Sequence, residues 1–302
     1  MENDRQRIWW IASYPKSGST WVRMFVNAYV TGWPTNINSA WQYATGDLQP
    51  QLYQLTSAQP VTDMIDVDCF YYRPAVLLNH VATSHTKDCA LKTHNAKVEV
   101  DGMPMIPPKL SKGALYIVRD PRDVAVSFAH HLGVKVDEAI EKMAHEGQML
   151  EKQPYKLFHI LSSWSMHVNS WTTANKDVRT GVVRYEDLLA DPAKWFRSVL
   201  AALGIDADDE ERFQFALEQT KFENLQSLEG DTGFQENGKG DKFFRRGEAG
   251  GWRDALTRKQ VRRIEKAHAK TMQRWGYDLY ELSETRANVL GRLETAAVGS
   301  VQ

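Results

Sequence analysis

Four short stretches of this chain combine residues that can hold and move charge. Residues 14–21 read Y-P-K-S-G-S-T-W, with Lys16, the hydroxyls of Ser17, Ser19 and Thr20, and Gly18 between them. Residues 92–94 are Lys92, Thr93 and His94. Arg119 opens the run R-D-P-R-D, and Ser127 follows eight positions on. Arg245, Arg246 and Gly247 lie in the run F-F-R-R-G-E-A-G-G-W. Lysine, arginine, hydroxyls and glycine are what a phosphate cradle is made of, because they supply N–H and O–H donors and let the backbone approach. A histidine among them adds a group that titrates near neutral pH. No pair of carboxylates suited to Mg²⁺ accompanies these groups, so the set fits a doubly phosphorylated ligand bound without a metal.

Each stretch also has a plainer reading. The first could be a strand–turn–helix junction with a solvent-facing lysine. The nucleoside-triphosphate loop G-x-x-x-x-G-K-[ST] puts its Lys after the last Gly, whereas Lys16 precedes Gly18. The loop therefore reads as phosphate-binding, but not in the manner of an ordinary ATPase. A lone histidine is more often structural than catalytic. Arg122 and Asp123 fit a surface salt-bridge cluster. The stretch 229–251, rich in Gly and charge, is either a disordered surface loop or a flexible basic loop that wraps an anion.

The elements that must position these groups follow from apolar spacing. Residues 8–13 form an apolar run that reads as a buried strand, and helical spacing resumes over 20–30. Further strands are expected over 88–94, 113–118 and 179–185, the last running into Tyr185, Glu186 and Asp187. Helices are expected over 124–131, 137–150, 155–174, 208–219 and 258–275. Another starts at Asp191-Pro192 and stops at Gly204. The aromatic stretch 31–74 is too long for a bare loop, so it should hold short helices, either as a cap over the sheet or as the wall of an acceptor pocket. Together these β–α units predict a single α/β domain over 1–282, with a mainly parallel sheet flanked by helices and a tail over 283–302. Right-handed crossovers would bring the strand ends carrying Lys16, His94, Arg119 and Tyr185 to one edge.

Composition narrows the class. The chain has 302 residues with a formal net charge of -1, which gives no reason to expect nucleic acid or an anionic membrane as partner. Two cysteines make neither a metal site nor a disulfide framework and suit a reducing compartment. Neither a signal peptide nor a long apolar span is evident, so a cytoplasmic location is expected.

Taken together, the motifs resemble the cytosolic-type sulfotransferases, which use 3′-phosphoadenosine 5′-phosphosulfate (PAPS) as sulfuryl donor. Y-P-K-S-G-S-T-W (14–21) is similar to the family's 5′-phosphosulfate loop, and I-V-R-D-P-R-D-V-A-V-S (117–127) to its 3′-phosphate motif. K-T-H (92–94), Y-E-D (185–187) and R-R-G-E-A-G-G-W (245–252) follow the family's remaining motifs, with Gly251 where the family usually has Asp. The five span residues 8 to about 260, in family order.

The resemblance implies roles. Lys16 contacts the phosphosulfate, while Ser17, Gly18, Ser19 and Thr20 bind the 5′-phosphate. Trp21, Tyr185, Thr220 and Phe222 meet the adenine. Arg119, Ser127, Arg245, Arg246 and Gly247 hold the 3′-phosphate. Lys92 neutralises the transferring group, and His94 is the general base. The acceptor is a small molecule with a hydroxyl, phenol or amine, and the released product is adenosine 3′,5′-bisphosphate. Of the family's dimer segment K-x-x-x-T-V-x-x-x-E, only Thr257 is shared. The competing reading is a P-loop kinase or NTPase using Mg-ATP.

Overall fold

The computed structural model describes residues 6–84, 89–150, 157–173, 177–236 and 242–280. The chain starts with β1 (Ile8–Ser13) and α1 (Ser19–Thr31), then β2 (Ala44–Gly46), α2 (Pro50–Gln54), α3 (Asp66–Thr83) and β3 (Cys89–Thr93). A small hairpin of β4 (Glu99–Val100) and β5 (Met103–Pro104) leads to β6 (Ser111–Val118), α4 (Pro121–Leu132) and α5 (Val136–Ala144). A second hairpin, β7 (Met149–Leu150) and β8 (His159–Ile160), precedes α6 (Trp164–Thr172) and β9 (Thr180–Arg184). Helices α7 (Tyr185–Ala190), α8 (Pro192–Ala202), α9 (Glu210–Gln219), α10 (Phe222–Thr232), α11 (Trp252–Ala255) and α12 (Arg258–Arg274) complete it.

Five strands form one sheet in the order β2-β3-β1-β6-β9, every pair parallel. All six residues of β1 are buried, as a central strand covered on both faces requires. Its side chains alternate between two cores. Ile8, Trp10 and Ala12 pack with residues of α4, α5, α6 and α12. Trp9 and Ile11 pack on the other face with Val22, Phe25 and Val26 of α1 and with Phe196, Val199 and Phe213 of α8 and α9. This is the expected doubly covered α/β sheet. After β1 the chain moves outward to β2 and β3, then returns past β1 to β6 and β9. The order therefore reverses at β1, and the crevice outside the strands' carboxyl ends lies there.

Several expected elements differ. Of the helix expected over 155–174, only Trp164–Thr172 forms, and Ile160 instead pairs as a strand with Met149. Leu157 and Leu161 are nonetheless buried, so their apolar spacing marked core and not helix. The helix expected over 137–150 ends at Ala144, and Met149–Leu150 is β7. Within 31–83 the sheet gains an edge strand, β2, and the 18-residue helix α3 runs through Pro74. Burial of Val76, Leu77 and Val81 there outweighs the hydrogen bond that Pro74 cannot donate. Helix α10 takes the start of the stretch expected to lack period. The tail expected from Ser283 lies outside the described residues.

Candidate active site

The loop between β1 and α1 is held in a conformation that side chains seldom adopt. Lys16 has φ 67°, and Gly18, which caps α1, has φ 102°. A non-glycine residue in the left-handed region is strained and persists only where its surroundings hold it. Arg119, at the end of β6, supplies that hold by donating to the Lys16 carbonyl at 3.1 Å. Gly18 is needed for space as well as for φ, since a Cβ there would lie 2.6 Å from the Tyr185 ring. The N–H groups at the start of α1 open on the same crevice, with the positive end of its dipole. The Lys16 ammonium sits 3.5 Å from the centre of the Phe243 ring, a cation–π contact with the segment that follows α10.

Arg119 also ties the other wall together. Its second terminal nitrogen donates to the Glu248 carbonyl at 3.0 Å, and its guanidinium lies 4.2 Å over the Tyr185 ring. Asp123, one turn into α4, accepts the N–H of Gly250 at 2.7 Å and of Trp252 at 2.9 Å. Burial pushes its carboxyl above the usual range, and Arg119 with these two donors opposes that rise. The carboxylate thereby anchors the 245–252 loop on α4. Arg245, Arg246 and Gly247 then face the cleft with Arg119 and Ser127. Gly247, at φ 62°, rests on Phe222, where a Cβ would lie 2.3 Å from the ring. Burial first, then the guanidiniums of Arg246 and Arg119, lower the pKa of Arg245. Cations brought this close are best satisfied by an anion between them.

At the opposite end His94 follows β3, whose register sets Lys92 beside Ile11 and Thr93 beside Ala12. Its Nδ1 is 2.8 Å from the Ser13 carbonyl. A carbonyl oxygen only accepts, so Nδ1 carries the proton and Nε2 keeps the lone pair. Lys92, His94, His159, Leu132, Leu150 and Leu157 line this end of the cleft. His159 lies 6.0 Å from His94, ring centre to ring centre. Among the described residues, no aromatic side chain of 33–75 lines the cleft. Tyr53 and Cys69 pack with Leu157 and Phe158 in a cluster of their own.

One cleft thus gathers Lys16, Gly18, Ser19, Thr20, Trp21, Lys92, His94, Arg119, Ser127, Tyr185, Phe222, Arg245, Arg246 and Gly247. Two residues expected with them sit elsewhere. Ser17 is buried beneath the loop, and its Oγ makes no hydrogen bond among the described residues. Thr220 turns its hydroxyl back to the Ala216 carbonyl at 2.7 Å, while its own carbonyl accepts the Trp21 indole N–H at 2.8 Å. Thr220 therefore fixes Trp21 and does not line the cleft. Arg122 and Asp123, expected on the surface, are 4% and 6% exposed. Arg122 is held by Asp120 and Glu265, so the charges assigned to solvent are internal struts.

Other residues came to light only in three dimensions. Glu236 borders the cleft and grips Arg23 of α1 with both oxygens, at 2.9 and 3.0 Å. His159 and Phe243 had no sequence signal beyond residue type. Asp123 did have one, its place one turn after Arg119. The donor set fits a ligand carrying two phosphates: cations and aromatic faces line one cleft, and Arg119 Nε is buried without a partner among the described residues.

Residues 6–276 match the family described as Sulfotransferase domain. The chain belongs to that family. Among this sulfotransferase's curated relatives is cytosolic sulfotransferase 13 of Arabidopsis thaliana, 26% identical over 85% of this chain and 74% of its own length. Flavonol 4′-sulfotransferase of Flaveria chlorifolia is 24% identical, with 85% and 76% covered. Two solved structures share the fold. Mouse sulfotransferase SULT7A1 complexed with PAP has TM-score 0.57, at 21% identity over 89% of this chain and 85% of that one. Retinol dehydratase with retinol and PAP has TM-score 0.59, at 24% identity over 91% and 83%. Among the described residues no helix is long and apolar enough to cross a membrane.

Proposed function

We propose that this sulfotransferase uses PAPS to sulfate the hydroxyl, phenol or amine of a small-molecule acceptor in the cytoplasm, with His94 as general base. The observation that carries the reading is the place of the His94 ring. The Ser13 carbonyl holds it through Nδ1 at 2.8 Å, in a cleft shared with Lys16 and Lys92. An acceptor hydroxyl is a weak nucleophile until its proton leaves, and Nε2 would take that proton. When bound, the donor supplies the sulfuryl group. Lys16, Lys92 and the N–H groups of the P-loop-like 16–20 turn would stabilise the negative charge spread around the transferring group.

Arg119, Ser127, Arg245, Arg246 and Gly247 would hold the 3′-phosphate, and Gly18, Ser19 and Thr20 the 5′-phosphate, with Ser17 contributing through its backbone N–H. Trp21, Tyr185 and Phe222 would flank the adenine, with Thr220 acting through its grip on Trp21. Contacts so far from the reacting end supply orientation. Relatives named for cytosolic, flavonol and amine sulfotransferases support the location and the acceptor class.

Titration calorimetry with adenosine 3′,5′-bisphosphate, the PAP of the related structures, tests the donor. Tight binding that falls sharply for 5′-AMP is expected, and preference for Mg-ATP would overturn the reading in favour of a P-loop kinase. His94→Gln should lower kcat by about 10²–10⁴-fold while bisphosphate binding stays intact. Unchanged turnover in that variant would remove His94 from the chemistry.

A further inference from the structure

His94 is gripped through its main chain as well as its ring. The Nε2 of His167, in α6, lies 3.1 Å from the His94 carbonyl, and His167 Nδ1 lies 2.9 Å from the Tyr116 hydroxyl. A carbonyl accepts only, so Nε2 carries the His167 proton, Nδ1 is a lone pair, and the Tyr116 O–H donates to it. The direction of the whole chain is fixed: Tyr116 O–H to His167, His167 N–H to the His94 carbonyl. The next carbonyl, of Asn95, accepts the indole N–H of Trp171 at 3.0 Å. His167 and Trp171 are four residues apart, on one face of α6. Between them Ser170 Oγ accepts the Lys97 N–H at 3.0 Å and donates to the His167 carbonyl at 2.8 Å. Helix α6 therefore holds the turn after β3 at three backbone points, on His94, Asn95 and Lys97.

We propose that His167, held in its Nε2–H tautomer by the His94 carbonyl and braced at Nδ1 by Tyr116, is a positioning residue that sets the orientation of the His94 imidazole. The proposal rests on His94 being the general base. The mechanical argument is direct. β3 ends at Thr93, so the His94 carbonyl has left the sheet, and its peptide plane needs another partner. The bonds from α6 restrain the backbone at His94, and a shift of its Cα would carry the ring with it and strain the 2.8 Å bond from Nδ1 to Ser13. His167 is fully buried, and the edge contact of the Tyr14 ring, 5.3 Å between centres, leaves it little room to turn. Burial also pushes its pKa down to about 4, which keeps it a neutral, single-proton donor at working pH. Tyr116 does not line the cleft, yet its hydroxyl braces the His167 ring at Nδ1. Without it the ring loses its anchor at Nδ1 and can tilt away from the His94 carbonyl.

Three variants and one spectrum test this. Tyr116→Phe should lower kcat by about tenfold and His167→Phe by about a hundredfold, the scale of a displaced catalytic group. The Kd for adenosine 3′,5′-bisphosphate should stay within twofold in both. His167→Gln, which retains an amide N–H near the Nε2 position, should recover most of the kcat. In the wild-type protein, ¹⁵N NMR of His167 should show the Nε2–H tautomer from pH 6 to 8. An Nδ1–H tautomer in the wild type overturns the proposal even if His167→Phe does not fold. So does a kcat within twofold of wild type in Tyr116→Phe, or a bisphosphate Kd that weakens in step with kcat, which marks general loosening. His94→Gln separates the two readings. If it keeps full turnover, the base assignment fails first. If it loses turnover while the Tyr116 and His167 variants do not, only the positioning role fails.

Discussion

Asp123→Asn isolates the strut that holds the 245–252 loop. The carboxylate accepts two backbone N–H groups, from Gly250 at 2.7 Å and Trp252 at 2.9 Å. Hydrogen bonds to a charged acceptor are worth roughly 1.5–3 kcal/mol each and neutral ones about half as much. The amide keeps one oxygen, so one bond survives in weaker form. Its NH₂ then faces the other N–H, donor against donor, in a site that is 6% exposed. The lost bond and the unmatched donor together cost about 2–4 kcal/mol against the docked loop. That loop brings Arg245, Arg246 and Gly247 to the cleft. If docking is required for binding, apparent affinity falls with the docked fraction, and a 10- to 100-fold weaker bisphosphate Kd is expected. Calorimetry with adenosine 3′,5′-bisphosphate beside 5′-AMP reads it, since 5′-AMP lacks the phosphate assigned to this loop. The ratio of the two affinities should shrink. A variant that binds the bisphosphate within twofold of wild type, with the ratio unchanged, would refute the reasoning.

Three further outcomes are expected. His167 and His268 are buried and held neutral, each pushed down to about 4 from 6.5. The unfolded chain binds these protons more readily, so stability rises with pH between about 4 and 6.5 and is lost as pH falls through that window, by about 3 kcal/mol for each group. Urea unfolding from pH 7 to 4.5 should show this steep loss, and His268→Gln should flatten it. Gly247→Ala drives a Cβ against Phe222 at a positive φ and should weaken bisphosphate binding at least tenfold, while Ala249→Gly should not. Glu236→Gln leaves the Arg23 charge, 1% exposed, with a neutral partner, and a loss of about 2–3 kcal/mol should appear in thermal unfolding. An unchanged midpoint would mean that the pair contributes nothing net.

The chemistry was local enough to be visible in one dimension. A strand, a tight turn and a helix are consecutive in sequence, so Lys16 to Trp21 carried their own signal, as did Arg119 through Ser127. The buried strand over 8–13 and the Asp191-Pro192 helix start were equally legible, because an apolar run and a cap act within a few residues. Where the reading failed, a distant contact had overruled the local pattern. Leu157, Ile160 and Leu161 keep helical spacing, but Ile160 pairs with Met149, eleven positions away, and a strand results. Short helices were expected within 31–74, yet α3 runs 18 residues through Pro74 because its far half is buried against the core.

Charges show the same division. The sequence by itself determined which groups would stand at the strand ends, since parallel β–α units deliver them there by topology alone. Only the tertiary structure decided which of those groups face the cleft and which brace it. Arg119 and Asp123 lie in one short run, but the former borders the cleft through its guanidinium, and the latter is bound to a loop 127 positions downstream. The His94 tautomer was likewise undetermined until Ser13 and His167 came within hydrogen-bond reach from other elements. A residue's type states what it can donate or accept. The partner that settles its proton, its orientation and its exposure is supplied by packing, and packing joins residues that the sequence keeps far apart.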